Sequence, residues 1–387
     1  MLPTILLAAA IAAAGPAPAP APAPGAPLAG LTPAQLESFN DGRTEFSDVE
    51  NVDDGLGPVF NGRSCGECHT TPAIGGAGEQ FVTRFGKRTN GVFDPLPAFG
   101  GSLIQTTGIG AADGSPHEFH GEVVPADANV TAKRRTTSLL GLGFVDATPD
   151  SDFFAMAQMQ SSRRGGVTGR AALVTNISAG MKTVGKFGWK SQNPTLFQFA
   201  GDAYMNEMGI TNPQFPDENC PNGNCAELAF NPRPGLNDIG DGVEELTNFM
   251  QLLAAPPRGA TSRDASDGEN LFERVGCADC HVATLRTGSS PIAALDHKTY
   301  HPYSDFLLHD MGSLGDGIVM GDAAANEMRT APLWGLRFLT AYLHDGRAKT
   351  LDDAIAAHDG EARPARDRFN GLDARSKAKL REFLKSL

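Results

Sequence analysis

The sequence Cys-x-x-Cys-His occurs twice in this chain, at residues 65–69 and 277–281. Two thiols three positions apart can form thioethers to both vinyl groups of one porphyrin, and the next histidine then lies beneath the iron. A zinc site would need four ligands, and a redox Cys-x-x-Cys pair would not need the histidine. The repeated pattern therefore predicts two covalent haem c groups. The expected attachment residues are Cys65, Cys68, Cys277 and Cys280, and the expected iron ligands are His69 and His281.

The overall composition is that of a globular protein with two or three domains. The chain has 387 residues, of which 41% are hydrophobic and 20% are charged, so a sizeable core can form. The formal net charge of −13 argues against a nucleic-acid partner. Such a surface favours a small basic electron donor, such as a cytochrome or copper protein; acidity that serves only solubility is the alternative.

The amino-terminal segment has the pattern of an export signal followed by a linker. Residues 5–14 form an apolar run too short to span a bilayer, and residues 16–27 alternate Ala and Pro. Residues 1–30 are therefore predicted to be a signal-like segment and an extended linker. Together with the haem c motifs, this segment predicts a periplasmic or other extracytoplasmic protein that is not an integral membrane protein.

A second sequence repeat accompanies the two cysteine motifs. Residues 135–144 align with residues 329–338, with Arg, Thr, Leu, Gly, Leu and Phe in the same order. Phe60 and Phe272 each lie five residues before the first cysteine of their motif, where a short helix is expected to end and an aromatic ring to pack on the porphyrin. The chain is therefore predicted to be duplicated, with chance similarity as the alternative.

The predicted fold is mainly α, with two cytochrome c-like haem domains, long loops and little β structure. Many Gly and Pro residues separate short periodic segments, and strand signals are sparse. Residues 32–35 form a capping box that begins a helix, and the apolar stripe from Val243 to Leu253 is expected to open the second domain. The predicted domains are residues 31–235 and 236–387. Leu380, Phe383, Leu384 and Leu387 predict an apolar face on a carboxyl-terminal helix.

Two further features lie between the cysteine motifs. Cys220 and Cys225 enclose Pro-Asn-Gly-Asn, which favours a turn closed by a structural disulfide over a reactive dithiol. Trp189 precedes an apolar-periodic stretch, where it is either a core residue or a bridge between the haems.

One histidine outside the motifs is a strong candidate for an iron ligand. Thr350-Leu351-Asp352-Asp353 resembles a capping box, and Leu351, Ile355 and His358 then share one helical face. A histidine on an apolar face is usually a hydrogen-bonded core residue. In a domain that also holds a haem, the same position favours metal ligation.

The motifs together resemble the di-haem oxidoreductase family, whose members are described as peroxidases. The resemblance rests on Phe-Asn-Gly-Arg-Ser before Cys65, on Arg-Thr-Ala-Pro-Leu from Arg329, and on Leu-His-Asp-Gly from Leu343 followed by Thr350 and Leu351. That group is related to the bacterial di-haem cytochrome c peroxidases and to the di-haem enzyme that matures tryptophylquinone. The resemblance covers nearly everything after the linker and is strongest in residues 55–75 and 305–370.

The resemblance also bears on the distal ligand of the second haem. In the peroxidases, the helix after Thr-Leu supplies this ligand, usually Met, eight residues beyond the Thr; here that position is His358. A second histidine would make this haem low-spin and lower its potential, because thioether ligation favours ferrous iron. Met311, in Leu308-His309-Asp310-Met311-Gly312, is the competing candidate, although the corresponding loop of the relatives packs near the haem without ligating it.

The first haem is where peroxide reacts in the relatives, which requires an open distal face and a carboxylate that moves protons. The chain departs from them there: no histidine follows His69 in the corresponding loop, and the Trp-Asp-Gly-Arg segment is absent. His117 and His120 are weak candidates for a distal ligand. Asp146 and Asp150 are weak candidates for the catalytic acid, with helix capping as their alternative role.

The combined prediction is an exported di-haem c-type oxidoreductase of the cytochrome c peroxidase type. Electrons are expected to enter at the carboxyl-terminal haem, and chemistry to occur at the amino-terminal haem. A non-catalytic electron-transfer cytochrome with two six-coordinate irons is the alternative. A thiol oxidoreductase that uses Cys220 and Cys225 is a third hypothesis.

Overall fold

The computed structural model describes residues 22–111, 115–163 and 166–387. The signal-like run and most of the Ala/Pro linker, residues 1–21, lie outside the described residues. The α-helices are α1 Pro33–Ser47, α2 Cys65–Cys68, α3 Leu142–Asp146, α4 Asp150–Ser162, α5 Leu196–Ala203, α6 Asp241–Leu252, α7 Arg263–Arg274, α8 Leu351–Ala357, α9 Arg363–Asn370 and α10 Ala374–Lys385. The strands are β1 Val59–Phe60, β2 Phe81–Thr89, β3 Val92–Asp94, β4 Leu103–Ile104, β5 Thr107–Gly108, β6 Gly110–Ala111, β7 Glu118–Phe119, β8 Val130–Arg135, β9 Ala172–Asn176, β10 Met181–Gly185, β11 Leu285–Arg286, β12 Thr299–Tyr300, β13 Leu308–Asp310 and β14 Glu327–Arg329.

The secondary structure is mixed, so the prediction of a mainly α fold with little β structure is only partly right. Helices account for 35% of the chain and strands for 17%. A four-stranded antiparallel sheet joins β2 to β3, β4 and β8, and the other described strands pair two by two. The strands are short and dispersed among loops, which is why their individual sequence signals are weak.

The four-stranded sheet follows the first cysteine motif directly. In β2, aromatic and β-branched residues such as Phe81, Val82, Thr83 and Phe85 favour an extended backbone. Asn90 and Gly91 both have positive φ, at 51° and 83°, and connect β2 to β3. Asn-Gly between two such runs is a strong hairpin signal, because both residues tolerate this conformation.

Two helix pairs show that the chain is built from two similar halves. In the first half α1 packs on α6, and their buried side chains include Phe39, Phe46, Phe249 and Met250. In the second half α7 packs on α10, whose buried Leu380, Phe383 and Leu384 confirm the predicted apolar face. α6 therefore packs with the first half, although its apolar stripe had suggested the start of the second domain. The boundary at 235/236 itself stays a prediction, since the largest core cluster contains residues from both sides of it.

The repeated Arg-Thr segments adopt the same local structure in both halves. Gly141 and Gly335 occupy the same position in the repeat, both have φ 76°, and each precedes a short helix. A positive φ is readily adopted by Gly and costs energy for other residues, so the repeat conserves this turn. The structure thus agrees with a duplicated chain.

Predicted helix starts are also found where capping residues stand. The Thr32 side chain accepts from Gln35 N–H and the Gln35 side chain accepts from Thr32 N–H, which confirms the capping box at α1. Thr350 and Asp353 form the same arrangement at α8. Within the described ranges, none of the helices combines the length and apolar character needed to cross a membrane.

Candidate haem-binding sites

The second Cys-x-x-Cys-His sequence follows α7 directly. Its backbone turns so that His281 N–H donates to the Cys277 carbonyl oxygen at 2.9 Å. The His281 ring donates from Nδ1 to the Tyr303 carbonyl oxygen at 2.9 Å, which leaves the Nε2 lone pair free. Burial lowers the pKa of His281 to about 4, so the ring is neutral near pH 7. A neutral imidazole oriented by a backbone carbonyl is the form that binds a metal.

His358 faces His281 from the other side of the same site. It lies at the carboxyl end of α8, and its Nδ1 donates to the Ala354 carbonyl oxygen at 2.7 Å. The ring centroids of His281 and His358 are 6.4 Å apart, with 56° between the ring planes. Burial lowers the pKa of His358 as well. Imidazole nitrogens bind first-row metals at about 2 Å, so one iron between the rings can contact both.

The cavity around these two rings suits a porphyrin. About 270 Å³ of internal space is enclosed by apolar side chains and by four arginines. The apolar residues include Leu351, Ala354, Ile355, Leu380 and Leu384, and the arginines are Arg135, Arg329, Arg366 and Arg368. An apolar wall matches the flat macrocycle, and guanidinium groups match its carboxylates. Met311 also lines this cavity, but the ring that faces His281 is that of His358.

The first Cys-x-x-Cys-His sequence has the same local geometry. Cys65–Cys68 form one helical turn, and His69 N–H donates to the Cys65 carbonyl oxygen at 3.1 Å. The His69 ring donates from Nδ1 to the Gly76 carbonyl oxygen at 2.9 Å, and burial lowers its pKa to about 4. His69 is thus prepared as a neutral ligand in the same way as His281.

Different aromatic residues pack on the two proximal rings. Phe272, near the end of α7, lies 6.2 Å from the His281 ring. The corresponding contact at His69 comes from Phe46 on α1, at 5.8 Å. Phe60 lies in strand β1, so the expected helix end is wrong at this position. α1 is the counterpart of α7, so Phe46 is the equivalent of Phe272. Its position in the fold identifies it, whereas its distance in sequence from the first cysteine does not.

Burial weakens the thiolate character of all four motif cysteines. Burial raises the pKa of Cys65 to about 12, of Cys68 to about 11 and of Cys277 to about 12, and it also raises the pKa of Cys280. A redox-active Cys-x-x-Cys pair needs the opposite shift. The raised pKa values therefore argue against a redox-active dithiol at either motif.

The distal side of the first site lacks a counterpart of His358. Thr195 is the amino-terminal cap of α5, and Thr350 is the amino-terminal cap of α8. His358 lies eight residues after Thr350, and the residue eight positions after Thr195 is Ala203. The two sites thus share a proximal histidine but not a distal imidazole from this helix.

Among the described residues, neither His117 nor His120 makes a hydrogen bond or a ring contact with His69. The His117 ring stacks on Phe230 at 4.8 Å, and its Nε2 lies 3.0 Å from Glu227 Oε2. His120 is exposed, with Glu118 as its charged neighbour. Their role as distal ligands stays a weak prediction.

Asp146 and Asp150 both make contacts that stabilise the backbone. Asp146 accepts from Leu196 N–H at 3.2 Å and from the Gln251 side chain at 3.1 Å, so it caps α5 and ties it to α6. Asp150 accepts from Val184 N–H at 2.9 Å and pairs with Lys186 at 3.2 Å. These contacts favour the structural alternative for both residues.

A different carboxyl group lies beside the first motif. Glu207 belongs to a π-helical turn, Tyr204–Met208, that extends α5. Its Oε2 accepts from the Asn61 side chain at 2.9 Å, and its backbone carbonyl accepts from Asn61 N–H at 2.7 Å. Burial raises the pKa of Glu207, and its charge helps to raise the pKa of the Cys68 thiol. π-helical turns are frequent at functional sites, but no periodicity in the sequence marks this one.

Arg84 is the basic neighbour of this carboxyl group. Its Nε is buried and has no hydrogen-bond partner among the described residues. Burial lowers its pKa to about 10, against the opposing effect of Glu207 and Asp202. The first site therefore holds a protonatable acid and a cation close to its cysteine motif.

Two loops cross where the halves meet, and they carry Trp189 and His344. Arg135 N–H donates to the His344 carbonyl oxygen at 2.6 Å, and Arg329 N–H donates to the Trp189 carbonyl oxygen at 3.0 Å. The rings of Trp189 and His344 lie 6.2 Å apart, and the indole N–H donates to the Arg135 carbonyl oxygen at 2.8 Å.

The two loops also have the same length, because an isolated β-bridge closes one between Phe187 and Asn193 and another closes the second between Tyr342 and Ala348. Trp189 thus occupies the position in the first half that His344 occupies in the second.

A disulfide joins Cys220 to Cys225, whose Cα atoms are 4.5 Å apart. The enclosed turn includes Pro221 and a left-handed Asn222. With both sulfurs bonded to each other, this pair has the structural form expected from the turn sequence.

The solved structures that match the chain have low sequence identity to it. Hydrazine synthase from Kuenenia stuttgartiensis is 15% identical, covers 99% of this chain and 100% of its own, and has a TM-score of 0.43. A MauG-like protein associated with microbial copper homeostasis is 16% identical, with 97% and 95% coverage and a TM-score of 0.41. The di-haem peroxidase BthA from Burkholderia thailandensis is 14% identical, with 65% and 78% coverage and a TM-score of 0.33. At these scores, the likeness carries no argument about this chain.

No curated protein matches the chain. The family model described as "Di-haem oxidoreductase, putative peroxidase" matches residues 116–387, which is more than half of the chain. The match includes the second cysteine motif, both Arg-Thr segments and His358. This confirms the resemblance seen in the motifs, and the chain belongs to the di-haem oxidoreductase family.

Proposed function

We propose that the chain binds two covalent haem c groups and acts as an extracytoplasmic oxidoreductase of the peroxidase type. Family membership supports two haems, and the paired thiols beside His69 and His281 support covalent attachment. Haem iron with an open distal face reacts with small oxidants such as peroxide, whereas a six-coordinate iron transfers electrons.

The observation that carries this proposal is the difference between the two distal sides. At the second site, His358 is oriented toward His281 and its Nδ1 is held by a backbone carbonyl, so His281 and His358 would hold the iron of a haem bound there. At the first site, the equivalent helix position is Ala203. We therefore assign electron entry to the second haem and chemistry to the first.

Glu207 is our candidate for the acid at the first site. Reduction of peroxide to water requires protons, and a carboxyl group serves best when its pKa is raised toward the working pH. Burial raises the pKa of Glu207, while the Asn61 side chain fixes one carboxyl oxygen. Arg84 places a positive charge near this group, which favours anionic forms of a substrate.

Trp189 is our candidate for the bridge between the halves. It packs against His344 and donates to Arg135, and it lines the cavity of the second site together with Thr71 and Pro72 of the first motif loop. Its aromatic ring therefore lies between the segments that hold the two haems. A small basic protein is the electron donor that the net charge of −13 favours.

Spectroscopy and turnover of the purified di-haem protein test the proposal together. We expect the oxidised and half-reduced protein to show one low-spin and one high-spin haem in electron paramagnetic resonance spectra. With a reduced basic cytochrome as donor, we expect peroxide to be consumed. Two low-spin haems in both states without peroxide turnover would contradict the enzyme and leave an electron-transfer cytochrome. Amino-terminal sequencing of the protein from an exporting host tests the signal-like segment.

A further inference from the structure

A buried histidine connects the two sides of the second site. His309 lies on β13, and its side chain is 1% exposed. Its Nε2 lies 3.0 Å from Asp305 Oδ2, and its Nδ1 lies 2.8 Å from Glu361 Oε2. The Cys280 sulfur is 3.7 Å from the same Nδ1. The ring is therefore held between two carboxylates, directly beside an attachment cysteine.

Both ring nitrogens of His309 are engaged by carboxylates. Cys280, Asp305 and His309 are near enough to one another to suggest a three-ligand metal site. However, each ring nitrogen faces a carboxylate oxygen, and a ring that donates from both nitrogens has no lone pair for a metal. Against the effect of burial, the two carboxylates raise the pKa of His309 well above its ordinary value, which favours the doubly protonated ring that donates to both of them.

Asp305 belongs to the proximal side of the second site. Its backbone N–H donates to the Cys280 carbonyl oxygen at 3.0 Å. It lies two residues after Tyr303, whose carbonyl oxygen orients the His281 ring. Gln160 donates to Asp305 Oδ2 at 2.6 Å and fixes the carboxylate further.

Glu361 belongs to the distal side. It lies three residues after His358, in a one-turn 3-10 helix, Gly360–Ala362. Thr168 also holds this carboxylate, through its N–H at 3.0 Å and its hydroxyl at 2.8 Å. α8 ends at Ala357 and His358 has an extended backbone, so the segment beyond the helix depends on such contacts for its position.

We infer that His309 is a positioning residue that keeps His358 facing His281. Its ring joins Asp305, in the segment that orients His281, to Glu361, in the segment that follows His358. This inference rests on the proposed function, in which both histidines bind the second iron. His309 touches neither of them, so it acts through Asp305 and Glu361. The geometry requires two N–H donors that point in opposite directions, which imidazolium provides and a glutamine side chain does not.

The test compares His309→Gln with His297→Gln in the purified di-haem protein. His297 is an exposed histidine of the same half, which makes it a matched control. We expect His309→Gln to lose the low-spin signal of the second haem and to bind carbon monoxide at that haem once it is reduced. His297→Gln should keep the wild-type spectrum. A haem-to-protein ratio of two shows that each variant is fully loaded.

A second pair of variants tests the inference if His309→Gln does not fold. Glu361→Ala removes the acceptor and should also give a high-spin second haem. Glu361→Gln keeps an acceptor oxygen toward His309 and should restore the low-spin signal. Thr168→Val removes only the other side-chain partner of Glu361 and should leave the spectrum unchanged.

The outcomes separate this inference from the proposed function. If the wild-type second haem is not low-spin with two histidine ligands, the proposed function fails. If the wild type is low-spin and His358→Ala makes it high-spin, the ligation stands. In that case a wild-type spectrum and reduction potential in both His309→Gln and Glu361→Ala would overturn the positioning role.

Discussion

The two halves of the molecule share a framework and differ at the end of one helix. α1 and α6 correspond to α7 and α10, and each half orients a motif histidine through a backbone carbonyl. α8 ends at Ala357 with His358 as its carboxyl-terminal cap, whereas α5 reaches Ala203 and continues as a π-helical turn that carries Glu207. The comparison teaches that the duplicated framework orients the motif histidine in both halves, while the end of one helix gives a second imidazole to only one of them.

The largest expected effect is the loss of one haem. Replacing both Cys277 and Cys280 by Ala removes the thioether donors of the second site, so we expect one covalent haem per chain. The matched variant, Cys65→Ala with Cys68→Ala, should also retain one haem, with a different spectrum. Mass analysis of the denatured protein measures covalent haem directly. Two covalent haems in either double variant would contradict the assignment of the motifs.

His358→Ala should make the two sites alike in coordination. Without the distal imidazole, we expect the second haem to become high-spin while covalent attachment is retained. Paramagnetic resonance and visible spectra of the oxidised protein measure the change. His117→Ala serves as a control, because its ring packs on Phe230. An unchanged low-spin signal in His358→Ala would show that another residue, with Met311 as the first candidate, binds this iron.

Glu207→Gln should impair only the chemistry at the first site. A general acid typically contributes about 10²- to 10⁴-fold to a rate, so we expect peroxide turnover to fall by about this factor. Asp146→Asn is the matched control, since burial raises the pKa of Asp146 too, while its contacts are structural. The initial rate of peroxide consumption, measured for both variants, distinguishes a specific role of Glu207 from a general effect of replacing a buried carboxyl group. Equal loss in both would mean that Glu207 has no specific role.

Trp189→Phe should slow the exchange of electrons between the halves, with a smaller effect than Glu207→Gln. The substitution keeps an aromatic ring but removes the hydrogen bond to Arg135, at a cost of about 1 kcal/mol in unfolding free energy. Stopped-flow reduction, followed at each haem, measures the exchange. Trp334→Phe is the matched control in the same cavity. If both variants exchange electrons at the wild-type rate, Trp189 is only a packing residue.

The smallest effect is expected from the disulfide, which belongs to the first half alone. Closing a loop this short stabilises a chain by about 2 kcal/mol. Cys220→Ser with Cys225→Ser should lower the unfolding free energy by about this amount and leave both haem spectra unchanged. Denaturant unfolding, followed by fluorescence, measures it. A change in peroxide turnover without a change in stability would favour the thiol oxidoreductase hypothesis.

Features that depend on short sequence patterns could be predicted from the sequence. The haem motifs are contiguous, and the capping boxes at Thr32 and Thr350 use residues three apart. His358 could be found because helical periodicity places it on the face of Leu351 and Ile355. In each case the interacting residues are close in sequence, so their spacing predicts their relative positions in the structure.

Features that depend on tertiary contacts could not be predicted in the same way. Phe46 contacts His69 across 23 positions, and Glu207 reaches Asn61 across 146. Neither spacing has a period that a sequence reading can detect. The hairpin at Asn90-Gly91 is different, because its sequence signal is local. Gly and Pro are so abundant in the loops of this chain that one Asn-Gly pair does not stand out among them. The position of α6 on α1 likewise follows from packing, because an amphipathic stripe does not identify its partner.

The crossing of the two loops has a consequence for how the protein is made. Each Arg-Thr segment donates a backbone hydrogen bond to a carbonyl group of the opposite half, at His344 and at Trp189. A half expressed alone would therefore present these donors without their acceptors. We therefore expect the two halves to unfold as one cooperative unit, so that damage to one half also lowers the stability of the other.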